Sequence, residues 1–286
     1  MSSIQIYFDQ DRAFFVEEVT PFLEKNEAVN AMMLGLCFAM HQGSFADKKI
    51  ELIRITKDGE LNSVAIKESK SSLVLTFISE EEIVLLIQTL MEKSIPILKV
   101  LDPLKSCERF AEIWSKKMNV NARLSMKQKI YQLDKVNDLE FVDGAMALAD
   151  ERDRELLVQW FYEMVKEAIP YDDLTLEGAQ DWVDKKISNN ALFLWIQNDV
   201  PVSMAALTGA TRCGVRISAV YTPPQFRRKG MATSLVGNLS QHVLNEVAEK
   251  CFLYTDQINL TSNGIYQKIG FNPVCESVLY VFEPNL

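Results

Sequence analysis

Two hydrophobic periods alternate along the chain, one near two residues and one near 3.6, and their order predicts the elements. Ile4–Phe8 reads as a strand. Helical spacing follows over Phe14–Lys25 and Ala28–Met40. Glu51–Thr56, Ser63–Ile66 and Leu73–Phe77 read as strands, with Asp58-Gly59 turning the first into the second. Glu80–Lys93 reads as a helix, Ile97–Leu101 as a strand, Cys107–Met118 as a helix, and Asn121–Leu133 as one long closing strand. The charged stretch Asp134–Asp138 follows, and the domain boundary is placed there, giving units 1–134 and 135–286.

The second half repeats that order. Phe141–Ala149 is a short strand, and Asp150–Ala168 and Leu176–Ser188 are amphipathic helices. Leu192–Gln197, Val202–Thr208 and Gly214–Thr222 are strands. Met231–Lys250 is a long helix, Cys251–Thr255 a buried strand and Thr261–Ile269 a helix. Gly270 suits a left-handed cap there. Pro273–Phe282 is the final strand. No residue-level repeat survives, so the tandem reading rests on element order.

Composition narrows the classes. The 286 residues carry 39 acidic and 30 basic side chains, a net charge of −9. That balance argues against a general nucleic-acid or anionic-membrane binder, since both need a cationic surface. With 48% hydrophobic and 24% charged residues, the chain reads as globular. The N-terminus shows no secretory pattern and no apolar run approaches the ~20 residues that span a bilayer, so the chain is read as cytoplasmic. The five cysteines form no CxxC pair and the only histidines are His41 and His242, so neither a disulfide framework nor a metal site is expected.

Several motifs fail. Gly209 to Gly214 has the glycine spacing of a P-loop, but Val215-Arg216 stand where Lys-Ser/Thr are required, and a hairpin is the better reading. GxGxxG after a strand, GxSxG and HExxH are all missing.

One stretch carries chemistry. The β-rich run Val215–Tyr221 stops at Pro223-Pro224, because Pro224 has no N–H and restricts Pro223. Arg227, Arg228 and Lys229 follow. Gly230 lets a ligand approach the backbone, and Met231 and Ala232 open a helix whose free N–H groups point back at the turn. These features describe a pyrophosphate seat.

Arg227-Arg228-Lys229-Gly230-Met231-Ala232 resembles the Arg/Gln-x-x-Gly-x-Gly/Ala signature of the GCN5-related N-acetyltransferase superfamily. Val220 to Pro224 resembles that family's fourth strand and its exit. Phe252 to Phe271, with Asn259, Ser262-Asn263, Tyr266 and Gly270-Phe271, resembles its fifth strand and following helix. The likeness covers residues 136–286; the first half matches in element order alone, as in tandem members. It implies an α/β fold of two tandem domains, each a mostly antiparallel mixed sheet flanked by helices.

The resemblance further implies an acetyl-CoA donor and no metal. Backbone N–H groups of Arg228, Lys229, Gly230, Met231, Ala232 and Thr233 would cradle the pyrophosphate, beside Arg227. Val220 and Thr222, around Tyr221, would pair with the pantetheine arm like an added strand. Asn259, Ser262 and Asn263 would contact the cofactor region, and Tyr266 would protonate the departing thiolate. The Val220 N–H could stabilise the oxyanion. Arg228 and Leu260 depart from the family's common Gly and Pro. No acidic residue announces itself as the base: Asp256, Glu163 and Glu167 are candidates. Plainer readings stand beside these. Tyr266 could be a packing tyrosine, Asn259 an N-cap, Asp256 a turn residue and the basic run a solvated turn.

At the matching place in the first half, Glu80, Glu81 and Glu82 open the helix. Carboxylates cap a helix and repel a pyrophosphate, so only the second half is expected to bind cofactor. The expected function is acetyl transfer from acetyl-CoA to a primary amine of a small molecule, or of a peptide, by direct attack. The alternatives are transfer of a larger acyl or aminoacyl group, and a non-catalytic CoA-binding module.

Overall fold

The computed structural model describes residues 3–43, 49–68, 72–168 and 174–285. The first half contributes β1 (Ile4–Asp9), α1 (Arg12–Leu23), α2 (Ala31–His41), β2 (Glu51–Lys57), β3 (Glu60–Lys67), β4 (Ser72–Leu75), α3 (Glu80–Glu92), β5 (Lys99–Pro103), α4 (Leu104–Met118) and β6 (Val120–Leu133). The second contributes β7 (Ala145–Leu148), α5 (Arg154–Ala168), α6 (Leu176–Ser188), β8 (Leu192–Gln197), β9 (Val200–Thr208), β10 (Gly214–Tyr221), α7 (Met231–His242), β11 (Lys250–Asp256), α8 (Leu260–Ile269) and β12 (Asn272–Pro284).

Local chemistry sets several boundaries. Asp11 caps α1 by accepting from the N–H groups of Ala13 and Phe14. Gly270 ends α8 at φ 118°, and a Cβ there would lie 2.9 Å from the Lys135 carbonyl oxygen, so the cap requires glycine. The helix expected to reach Lys250 stops at His242 and passes through a π-helical turn, Val243–Val247. Lys250 already donates its N–H to the Cys213 carbonyl at 3.0 Å, which commits it to the strand. The strand expected over Phe141–Ala149 shrinks to β7, because the Val142 N–H goes to Ser234 Oγ at 3.0 Å instead of a ladder partner.

The twelve strands of the described residues form one sheet in the order β1-β2-β3-β4-β5-β12-β6-β11-β10-β9-β8-β7. Among the described residues, only β4–β5 and β10–β11 pair in parallel. The two long strands exchange places. β6 ends the first half but pairs with β11, from Cys251↔Leu133 to Asp256↔Gln128. β12 ends the second half but pairs with β5, from Ser277↔Pro103 to Val281↔Lys99. Between them, β6 and β12 run antiparallel along their whole length. Thus the strand Asn121–Leu133 closes the opposite half, not its own. Alternation reports which face a side chain takes; it does not report the neighbouring strand.

Helices cover both faces. Leu52 packs with α1 and α2, while its neighbour Ile53 packs with α3 and α4. Likewise Leu192 packs with α5 and α6, and Phe193 with α7. Burial on both faces explains the near-continuous apolar run of β8. The halves also meet outside the sheet. Phe252 packs on Ala28 and Ala31, Glu27 accepts the Cys213 N–H at 2.9 Å, and Gly35 abuts Gly209. The P-loop-like stretch Gly209–Gly214 is the connection of the antiparallel pair β9–β10.

Candidate functional site

A wedge opens beside β10. Its parallel pairing with β11 runs only from Gly214↔Lys250 to Arg216↔Phe252. On its other side, Ser218 faces Ala206 but Tyr221 faces Met204, so β10 carries one extra residue. Ala219 absorbs it with φ 49°. Such a bulge bends a strand and ends its pairing. Val220 therefore lies on a stretch that has left β11, half-buried against the second-half core.

β10 runs into the basic turn. Pro223 is buried, Pro224–Phe226 form a 3-10 turn, and Arg228 and Gly230 take φ of 60° and 85°. A Cβ on Gly230 would sit 2.8 Å from Val142 Cγ1, so sterics and φ both require glycine. Among the described residues, no side chain caps α7, whose N-cap residue is Gly230. The first-turn N–H groups of Met231, Ala232 and Thr233 thus keep the donor character and positive dipole of an open helix end. Arg228 and Lys229 are exposed beside it, and Lys229 reaches the Gln225 carbonyl at 3.1 Å. Arg227 instead turns inward. It donates to Thr222 O at 2.7 Å and forks onto Glu167 at 2.9 and 2.7 Å. The Glu167 hydrogen bonds raise its pKa further.

The α8 residues are tied to the end of β11 and to β6. Asn259 caps the helix, accepting the Ser262 N–H at 3.0 Å. Asp256 accepts the Ile258 N–H at 3.0 Å in the preceding turn. Asn263 donates to the carbonyls of Asp256 and Asn259 at 2.9 and 2.8 Å and accepts from the Tyr131 hydroxyl at 3.1 Å. Its amide therefore ties β6 to the β11–α8 connection. Tyr266 is buried, edge-on to Phe271 at 6.0 Å. Burial pushes its phenol up to about 12, against a smaller opposing pull from the Ser262 side chain. It stays protonated through the neutral range. Of the carboxylate candidates, Glu163 accepts the Tyr221 hydroxyl at 3.0 Å and Glu167 holds Arg227. Tyr131 escaped sequence reasoning because it comes from a strand of the other half, with no local motif.

The equivalent place in the first half is built otherwise. Ser79 and Glu82 form a capping box at the start of α3. The Glu82 carboxylate is fully buried. It accepts from Ser79 N and Oγ at 2.9 and 2.7 Å, from Asn62 at 2.8 Å and from Ser63 at 3.1 Å. Burial raises its pKa, but these bonds outweigh it and hold the group below the usual value. The Ile78 N–H donates to Ser106 Oγ at 3.0 Å, tying the exit of β4 to α4. Counted from the first residue of each helix, Ser106 and Phe110 on α4 stand where Ser262 and Tyr266 stand on α8.

The family described as FR47-like protein matches residues 197–280, from the end of β8 to β12. No curated protein matches the chain. Among solved structures, a GNAT-family acetyltransferase from Colwellia psychrerythraea shares 13% identity at a TM-score of 0.60, covering 98% of this chain and 99% of that one. A GCN5-related N-acetyltransferase from Sphaerobacter thermophilus shares 12% at 0.63, covering 97% and 94%. A tandem GNAT protein from the clavulanic acid biosynthesis pathway shares 9% at 0.55, covering 97% and 98%. At these identities the likeness is one of fold. The fold is that of the GCN5-related N-acetyltransferases, as the motifs of residues 136–286 imply, and it extends across both halves. Among the described residues, no helix is long and apolar enough to cross a membrane.

Proposed function

We propose that the chain is an acyl-CoA-dependent N-acetyltransferase with one working centre, in residues 135–286, and that residues 1–134 form a cofactor-free unit beside it. The observation that carries this reading is the continuous path from the bulged end of β10, where its pairing with β11 has stopped, to the uncapped start of α7. A pantetheine arm needs free strand edges, and a pyrophosphate needs free N–H donors. Val220, Tyr221 and Thr222 line the first, and the backbone from Arg228 to Thr233 forms the second. Asn259, Ser262 and Asn263 shape the mouth between them.

In the reaction, the neutral amine of a small-molecule or peptide acceptor attacks the thioester carbonyl. The C–N bond forms, the oxyanion is met by the Val220 N–H, and the C–S bond then breaks. The attacking nitrogen releases its proton to solvent. Tyr266 faces the leaving sulfur. A thiol titrates near ~8.5, below a phenol held at about 12, so Tyr266 stabilises the thiolate by donating a hydrogen bond without surrendering its proton outright. Holding both reactants in one wedge supplies much of the acceleration.

Calorimetric titration with acetyl-CoA tests the assignment. Arg228→Glu combined with Gly230→Asp is expected to abolish binding; retained binding sinks it. Thiol release across an amine panel tests the chemistry, and tight binding without turnover on any amine would leave a CoA-binding module instead.

A further inference from the structure

Arg227 heads the basic turn, where its charge would be expected to meet the cofactor phosphates, yet all three guanidinium nitrogens are engaged within the protein. Nε donates to the Thr222 carbonyl at 2.7 Å, and the two terminal nitrogens fork onto the Glu167 carboxylate at 2.9 and 2.7 Å. The guanidinium also lies 5.5 Å from the centre of the Tyr221 ring. Glu163, one turn before Glu167 on the same face of α5, accepts the Tyr221 hydroxyl at 3.0 Å. Ser203 on β9 closes the set from below: it donates to the Tyr221 carbonyl at 2.9 Å and lies 2.8 Å from the Thr222 hydroxyl. Two carboxylates of one helix thus grip the end of β10 and the turn that follows.

The turn needs such a grip. Arg228 and Gly230 both take left-handed backbone angles, a shape that holds only when its surroundings determine it. The ion pair is more than a third exposed, so it adds little to global stability. Its effect falls on the order of the turn.

We propose that Arg227 is a positioning residue: pinned by Glu167, it holds residues 223–230 in the shape that presents the first-turn N–H groups of α7, and gives the pyrophosphate no direct ligand. Arg228 and Lys229 supply the positive charge. This rests on the acetyl-CoA reading above.

Calorimetry with acetyl-CoA and with S-acetylpantetheine, which lacks the pyrophosphate, tests it on Glu167→Gln, Arg227→Met, both together, and the charge-swapped pair Glu167→Arg with Arg227→Glu. Each single variant is expected to weaken acetyl-CoA binding about tenfold. The double variant should be no worse, the swapped pair should recover part of the loss, and S-acetylpantetheine should lose far less than acetyl-CoA does. Hydrogen exchange at residues 225–230 without ligand should quicken in both singles. If Glu167→Gln binds acetyl-CoA as well as the wild type or better while Arg227→Met binds it poorly, Arg227 is a direct phosphate ligand and the proposal falls. If the wild type binds no acetyl-CoA, the functional reading falls instead, and the exchange rates alone decide the pin: unchanged rates in both variants overturn it.

Discussion

The starts of α3 and α7 occupy equivalent places after parallel-paired strands, and they treat their free N–H groups in opposite ways. α3 supplies its own anion: the buried Glu82 carboxylate takes up donors from Ser79, Asn62 and Ser63. α7 begins at Gly230 with no side-chain cap and two exposed cations beside it. A helix end stabilises a negative charge in either case. In the first half that charge is covalent, and it occupies the place an external anion would take. In the second half the demand is left open, at some cost in stability, and an external anion can meet it. The following helices repeat the contrast: Phe110 on α4 lacks the hydroxyl that Tyr266 carries on α8.

The strongest way to break this comparison is to make α7 resemble α3. Thr233 occupies the third position of α7, as Glu82 does of α3. Thr233→Glu is expected to weaken acetyl-CoA binding on the order of 100-fold by calorimetry while the melting temperature stays within a few degrees. Unchanged affinity would mean that α7 does not receive the pyrophosphate.

Tyr266→Phe gives α8 the residue of α4. If the phenol acts on the departing sulfur as proposed, kcat should fall about 100-fold with little change in acetyl-CoA affinity. The burial-raised pKa adds a stability signature. The unfolded phenol ionises near ~10 while the folded one holds its proton to about 12, so stability is full below pH ~10 and is lost as pH rises toward 12. Urea melts of Tyr266→Phe should lack that share of the alkaline loss.

Glu82→Ala removes the internal anion and leaves four hydrogen-bond donors without it. The expected cost is about 2–4 kcal/mol by urea denaturation, with acetyl-CoA affinity unchanged. A second acetyl-CoA site appearing in this variant would show that the carboxylate alone had closed the first half. None is expected, since Ser106 still ties the exit of β4 to α4.

The smallest effect is a slope. Asp102 on β5 is buried at the exchanged edge with β12, and burial lifts its carboxyl to about 7 against the opposing pulls of Arg216 and Ser277. The unfolded carboxyl ionises from ~3.9 upward, so this residue's contribution is full below that pH and is lost as pH rises toward 7. Asp102→Asn should flatten the stability profile between pH 4 and 7 in chemical melts. A parallel, merely offset profile would mean the group is already ionised in the folded protein.

Much of this was legible residue by residue. The Pro223-Pro224 stop, the basic turn and Gly230 predicted the start of α7, because each acts through its own backbone. The three glutamates at 80–82 predicted a self-capped α3 for the same reason. Gly209–Gly214 was recognisable as a hairpin connection from what it lacked. By contrast, nothing local placed Tyr131 against Asn263, or Glu163 and Glu167 against Tyr221 and Arg227, since those partners lie 132, 58 and 60 residues apart.

The sequence by itself determined the order of elements and the local contrast between the self-capped start of α3 and the basic, glycine-led start of α7. Periodicity, capping and proline chemistry operate within a few residues, and the motif lies within one such window. Tertiary structure decided the exchange of β6 and β12, the opening of β10 from β11 and the pinning of Arg227. Those depend on which strand lies beside which and on where a long side chain finds its counter-charge. Alternation along a strand carries no record of either.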